Sequence, residues 1–167
     1  MKSYFMTMAS YNEWANVRLY AMARGLADEL YRRNVGAFFG SLHGTLNHLL
    51  VTDRIWMHRF TGTGDSPRKL DAILFEELQS LEFARRQEDR RLIEYVTGLS
   101  DEEIQGDLEY STTGGVLQRN ALGDLLAHLF NHQTHHRGQA HVMLTVLGVV
   151  NPRPLDLLVM LREKPSA

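Results

Sequence analysis

The chain has 167 residues, of which 44% are hydrophobic and 23% charged, with no cysteine and a formal net charge of −2. That size and balance fit one globular domain spanning residues 1–167, and acids and bases interleaved without a basic, aromatic-bearing stripe argue against nucleic acid as the principal partner. The missing cysteine excludes disulfides, thiolate metal ligands and a cysteine nucleophile, so any metal here takes nitrogen or oxygen donors.

The N-terminal stretch "MKSYFMTMASYNEW" lacks the uninterrupted apolar run of a signal peptide, and no window approaches the ~18 apolar residues of a membrane span, so a cytoplasmic protein is expected. Phe5, Met8, Asn12, Ala15, Leu19 and Met22 recur at helical spacing and predict a helix over roughly residues 3–25, with Asn12 the polar exception in its stripe. A second helix is expected over roughly 35–60, ending at the breaker run "TGTGDSP", and a third over roughly 70–97 with Leu74, Leu78, Leu81, Leu92 and Val96 on one face. Ser100 and Glu103 have the spacing of a capping box. Beyond them, alternation at Leu108 and Tyr110 and a turn at Gly114–Gly115 predict a β-hairpin. A fourth helix, N-capped by Asn120, should run to about Leu147, and a short closing helix should start near Leu155. The predicted architecture is all-α: a four-helix bundle with a small β-hairpin before the last long helix.

The stretch "HLFNHQTHHRGQ" concentrates four of the chain's eight histidines. His132 and His136 lie one helical turn apart on a face shared with Leu125, His128, Gln139 and Met143. Imidazoles on a face that points into a bundle need a partner, since an unpaired buried polar group costs roughly 1–3 kcal/mol. A hydrogen-bond network or a metal would satisfy them, and an i, i+4 histidine pair has the reach to chelate one ion. The third ligand has to come from another helix. His48 is the best placed, because its face carries Gly44, Thr45 and Thr52, small residues that leave space. His43, His58 and His141 project away from these faces and read as surface or interface histidines, and His135 sits at the stripe's edge. His128, one turn before His132, reads as a pocket residue. Three histidines from two helices leave positions open to water or substrate, which is the arrangement of a catalytic site. Zinc and nickel head the candidate metals, and iron and manganese also accept imidazole and water.

"NHQTHHRGQ" at 131–139, with "LNHLLVTDRIW" at 46–56, "YNEWAN" at 11–16 and the hairpin before "LLAHLFNH", resembles the DinB/YfiT-like superfamily over nearly the whole chain. The resemblance implies a four-helix bundle, commonly dimeric, with a divalent metal held by three histidines that fall on His48, His132 and His136. It also implies a low-molecular-weight thiol as co-substrate in transfer or isomerisation reactions, although many members have no assigned reaction.

Among the remaining residues, Glu88 is a candidate general base if its stripe faces the core, the alternative being an ion-paired charge in "RRQEDRR". Gln139 could orient a ligand through its amide, and Asn12 and Thr52 are further candidates for lining the pocket. Arg137 is expected to bridge to an acidic residue of a neighbouring helix. The expected function is a metal-dependent thiol transferase or hydrolase acting on a small molecule, working as a homodimer. The alternative is a non-catalytic, stress-associated binding protein with a vestigial or structural metal site. No phosphate loop, nucleophile elbow or dinucleotide fingerprint occurs.

Overall fold

The computed structural model describes residues 1–163. Four long helices dominate it: α1 (Lys2–Ala23), α3 (Leu42–Thr61), α4 (Leu78–Gly98) and α6 (Leu122–Val146). Three short ones accompany them, α2 (Asp28–Arg32), α5 (Asp101–Gln105) and α7 (Leu157–Glu163), and the hairpin β1 (Asp107–Ser111) and β2 (Leu117–Ala121) precedes α6. Helix α1 packs on α4 and α6, and α3 packs on the same two, which closes the ring of a four-helix bundle. Among the described residues, no helix is long and apolar enough to cross a membrane.

The boundaries differ from expectation at three places. Helix α3 begins at Leu42 rather than near 35, because the Ser41 side chain accepts from Gly44 N at 3.1 Å and ends the irregular segment before it. It stops where Gly62 adopts the left-handed conformation. Helix α4 begins at Leu78, not 70. The residues before it are held along α3 by the Asn47 amide, whose Nδ2 donates to the Phe75 carbonyl at 3.1 Å while its Oδ1 accepts from Leu74 N and Phe75 N at 2.9 and 3.0 Å. Asn120 does not cap α6. It lies in β2, accepts from Tyr110 Oη at 3.2 Å, and leaves Ala121 at the cap position. The Ser100–Glu103 capping box forms as the spacing predicts, and the hairpin pairs Leu108 with Asn120 and Tyr110 with Gln118.

Each long helix crosses a polar layer at mid-height. On α1 the apolar Phe5 and Ala9 give way to Asn12 and Asn16 before Leu19 and Ala23 resume. On α4 the layer is Arg85 and Asp89, between Leu81 and Leu92. Asp53 supplies it from α3, and Gln133 and Arg137 from α6. Arg85 Nη2 reaches Asp53 at 2.8 Å and Asp89 at 3.1 Å. Burial opposes the charge on Arg85, but Asp89 and Asp53 outweigh it and raise its pKa. Apolar clusters lie to either side, one holding Leu46, Leu81 and Leu144 and the other Met57, Leu92 and Phe130.

Candidate metal centre

His48 on α3 and His132 and His136 on α6 converge, each offering a ring nitrogen within 4.8 Å of the other two. His48 Nε2 and His132 Nε2 are 3.3 Å apart. Two nitrogens bound at 2.0–2.1 Å to one tetrahedral ion stand about 3.3 Å from each other, so this pair has the spacing a zinc-sized ion requires.

Hydrogen bonds on the far side of two rings decide which nitrogen is bare. His48 Nδ1 lies 2.7 Å from the Leu70 carbonyl and His136 Nδ1 lies 2.8 Å from Gln139 Oε1. Both partners only accept, so in each neutral ring the hydrogen sits on Nδ1 and the Nε2 lone pair is left for a cation. Burial favours the neutral form. It lowers the pKa of His48 to about 4 and, helped by His136 and His48 nearby, that of His132 to about 3. His136 is also lowered by burial, against the opposing hydrogen bond that it donates to Gln139. Neutral imidazoles near pH 7 are the form that ligates a metal. The donor set, the spacing and the anchored rings therefore fit a divalent ion.

Phe39, which sequence reasoning did not single out, covers the His48 ring at a centroid distance of 3.7 Å and meets His136 edge-on at 5.5 Å. It lies in the loop before α3, outside any periodic pattern. The Leu70 carbonyl was equally invisible, being backbone in a segment expected to be helical. Gly44 was legible as a small residue on the His48 face, and its role is specific: a Cβ there would lie 2.2 Å from the Phe39 carbonyl oxygen.

The other candidates take varied places. His128 meets Trp56 edge-on at 5.3 Å and lies tilted to His132 at 6.1 Å, beside the trio. The Thr52 hydroxyl donates back to the His48 and Leu49 carbonyls, both at 3.1 Å, and adds no donor to the cluster. Gln139 holds His136 and donates to His135 Nε2 at 3.0 Å. Several expectations need correction. Glu88 is buried but pairs with Arg91 at 3.0 Å and does not join the converging histidines, because basic residues of α3 and α4 surround its carboxylate. Asn12 lies in the polar layer rather than at the pocket, donating to Asp89 Oδ1 at 3.0 Å and accepting from Arg137. Arg137 thus reaches an acid only through Asn12. His43, which the sequence reads as a surface or interface histidine, is buried beside Tyr31 and bonds the Phe75 carbonyl at 3.1 Å. His58 and His141 bond the Gly64 and Arg153 carbonyls, each at 3.0 Å. Beyond Gln139 an apolar cavity of about 460 Å³ opens, lined by Val35, Ala37, Phe38, Val142 and Val146.

The crystal structure of a DinB-like protein from Bacillus cereus ATCC 10987 has a similar fold, with a TM-score of 0.70 at 17% identity over 90% of this chain and 95% of that one. Protein DinB of Bacillus subtilis (strain 168) is 28% identical over 176 residues, an alignment covering 100% of both chains. The DinB family model matches residues 1–164, a span that takes in all four long helices, the hairpin and the three converging histidines, and the chain therefore belongs to the DinB family.

Proposed function

We propose that this chain is a divalent-metal enzyme, a thiol transferase or hydrolase that brings a low-molecular-weight thiol or water to a small electrophile. The observation that carries the reading is the convergence of His48, His132 and His136, each with a ring nitrogen within 4.8 Å of the other two, while hydrogen bonds at Nδ1 leave Nε2 bare on His48 and His136. His48, His132 and His136 would hold a divalent ion, which would supply Lewis acidity for activating a thiol or water; zinc and nickel suit the donors best.

The protein's own contribution is positional. The Leu70 carbonyl and Gln139 hold two rings in the ligating tautomer, and Phe39 keeps water from one face of His48. The apolar cavity past Gln139 would receive the apolar part of the electrophile. Metal content by mass spectrometry, in the wild type and His132→Ala, tests the reading. About one equivalent lost together with activity supports it, and activity retained in the variant defeats it.

A binding role with a structural metal is the second reading, favoured by one feature. Glu88, the candidate general base, is paired with Arg91. A panel of thiols and electrophiles separates the two, since metal-dependent thiol consumption belongs only to the enzyme.

A further inference from the structure

A second cavity, of about 550 Å³, lies where the hairpin meets α3 and the segment that follows it, and none of the three converging histidines lines it. His48 and Arg59 are separated by roughly 16 Å along the α3 axis at 1.5 Å per residue. Arg59 and Arg68 line this cavity, with hydroxyls from Ser66, Ser111, Thr112 and Thr113 around them and no carboxylate among the described lining residues.

Among the described residues, Arg59 is held in place without an acidic partner. Its guanidinium carbon lies 4.5 Å from the centre of the Trp56 ring and 5.1 Å from that of Tyr110. The two rings are themselves 5.4 Å apart and fix the side chain's course. Burial lowers the Arg59 pKa, only Tyr110 opposes that, and no carboxylate contributes. The contrast is with Arg54, a little more than one turn earlier, which pairs with Asp65 at 3.1 Å. A cation in the last turn complements the partial negative charge of the helix end. That role needs neither the aromatic seating nor a wall of hydroxyls. Thr112 Oγ1 accepts from Val116 N at 3.1 Å, which leaves its own hydrogen to donate.

We propose that this cavity binds the oxyanion of a small molecule, a phosphate or a carboxylate, through Arg59 and Arg68 with the hydroxyls of the hairpin turn completing the shell. A guanidinium presents paired N–H donors that match either oxyanion, and one already seated on aromatic rings loses little freedom on binding. The volume falls within the range of small-molecule sites. The inference is independent of the metal reading, because no residue is shared.

The test is a ¹⁵N NMR titration of the full chain with inorganic phosphate and, separately, with malonate, at constant ionic strength. Saturable shifts are expected at the Arg59 Nε–H and the amides of Thr112 to Gly115. Arg59→Gln and Arg68→Gln should each weaken binding at least about tenfold. Arg119→Gln, which removes a cation paired with Asp107 on the same hairpin, should leave it unchanged. Saturation by phosphate alone assigns a phosphate-bearing ligand, by malonate alone a carboxylate-bearing one, and by both a general oxyanion site. If Arg59→Gln disturbs the Trp56–Tyr110 packing, Arg68→Gln on the loop carries the test. Three results overturn the proposal: no saturation with either anion into the tens of millimolar, binding indifferent to both substitutions, or equal weakening in Arg119→Gln.

Discussion

Gln139 accepts a hydrogen bond from His136 Nδ1 at 2.8 Å and donates one to His135 Nε2 at 3.0 Å, so a single amide sets both the tautomer and the tilt of a candidate ligand. Leucine at this position keeps the approximate size but lets the ring rotate and its hydrogen move to Nε2. Gln139→Leu should lower zinc affinity about 10–100-fold, as loss of such outer partners typically does. Because Gln139 is only half-buried, the stability of the metal-free protein should change by less than about 0.5 kcal/mol. Competition with a chromophoric chelator reads the affinity. An unchanged constant would show that His136 needs no such support.

Removal of the metal should be visible in thermal stability. The ligands come from α3 and α6, which are brought together only in the folded chain. An ion bound by the native state alone at 100 times its Kd stabilises by about 2.7 kcal/mol. For a domain of this size that corresponds to a Tm lower by roughly 5–10 °C after chelation. Readdition of zinc should restore the Tm in the wild type and not in His132→Ala. A chelated protein that melts where the untreated one does would leave the imidazoles as a hydrogen-bonded polar cluster.

Gly44 gives a route to the site that touches no ligand. The Cβ of an alanine would lie 2.2 Å from the Phe39 carbonyl oxygen, a backbone atom, so the loop carrying Phe39 has to move. Phe39 is the ring stacked on His48. Gly44→Ala should therefore cost about 1–3 kcal/mol, in the range of overpacking, and weaken metal binding as well. The matched control is Gly98→Ala at the end of α4, where nothing lies within 4 Å of the added carbon. There the change should be neutral or stabilising by up to about 1 kcal/mol. Chemical denaturation of the two variants side by side separates the loop effect from helix propensity.

The four long helices, the capping box, the hairpin and the His132–His136 pair could be read from the sequence because each is encoded locally, by period, by cap spacing or by an i, i+4 pair, and His48 followed from the small residues on its own helix face. What could not be read depends on partners distant in the chain. Residues 70–77 carry Leu74 at helical spacing, yet they are held irregular by Asn47 from another helix. "RRQEDRR" looks like a solvated face. The inward course of Arg85 and Asp89 becomes intelligible only with Asp53, Asn12 and Asn16, which two other stretches of sequence supply. Asn12 was visible as a polar interruption of an apolar stripe. Nothing local to α1 says that Asp89 and Arg137 are the groups it meets.

Asp89 is the acceptor on which that layer depends. Its Oδ1 receives Asn12 at 3.0 Å, Asn16 at 2.9 Å and Arg85 at 3.1 Å, and the residue is 1% exposed. Asp89→Ala would leave two buried amides without their acceptor and Arg85 with Asp53 as its remaining carboxylate. Removing one partner of a buried charge network typically costs about 3–5 kcal/mol, mostly because the charge left behind stays desolvated. Asp89→Asn keeps the shape and an acceptor oxygen, so it should cost less, with Asp53 still neutralising Arg85. Urea denaturation should show both midpoints reduced at an unchanged m-value, alanine further than asparagine. If alanine costs under about 1 kcal/mol, water has entered the layer and taken over the acceptor's role. The bundle would then owe its stability to the apolar clusters on either side, and the polar residues would serve only to align the helices.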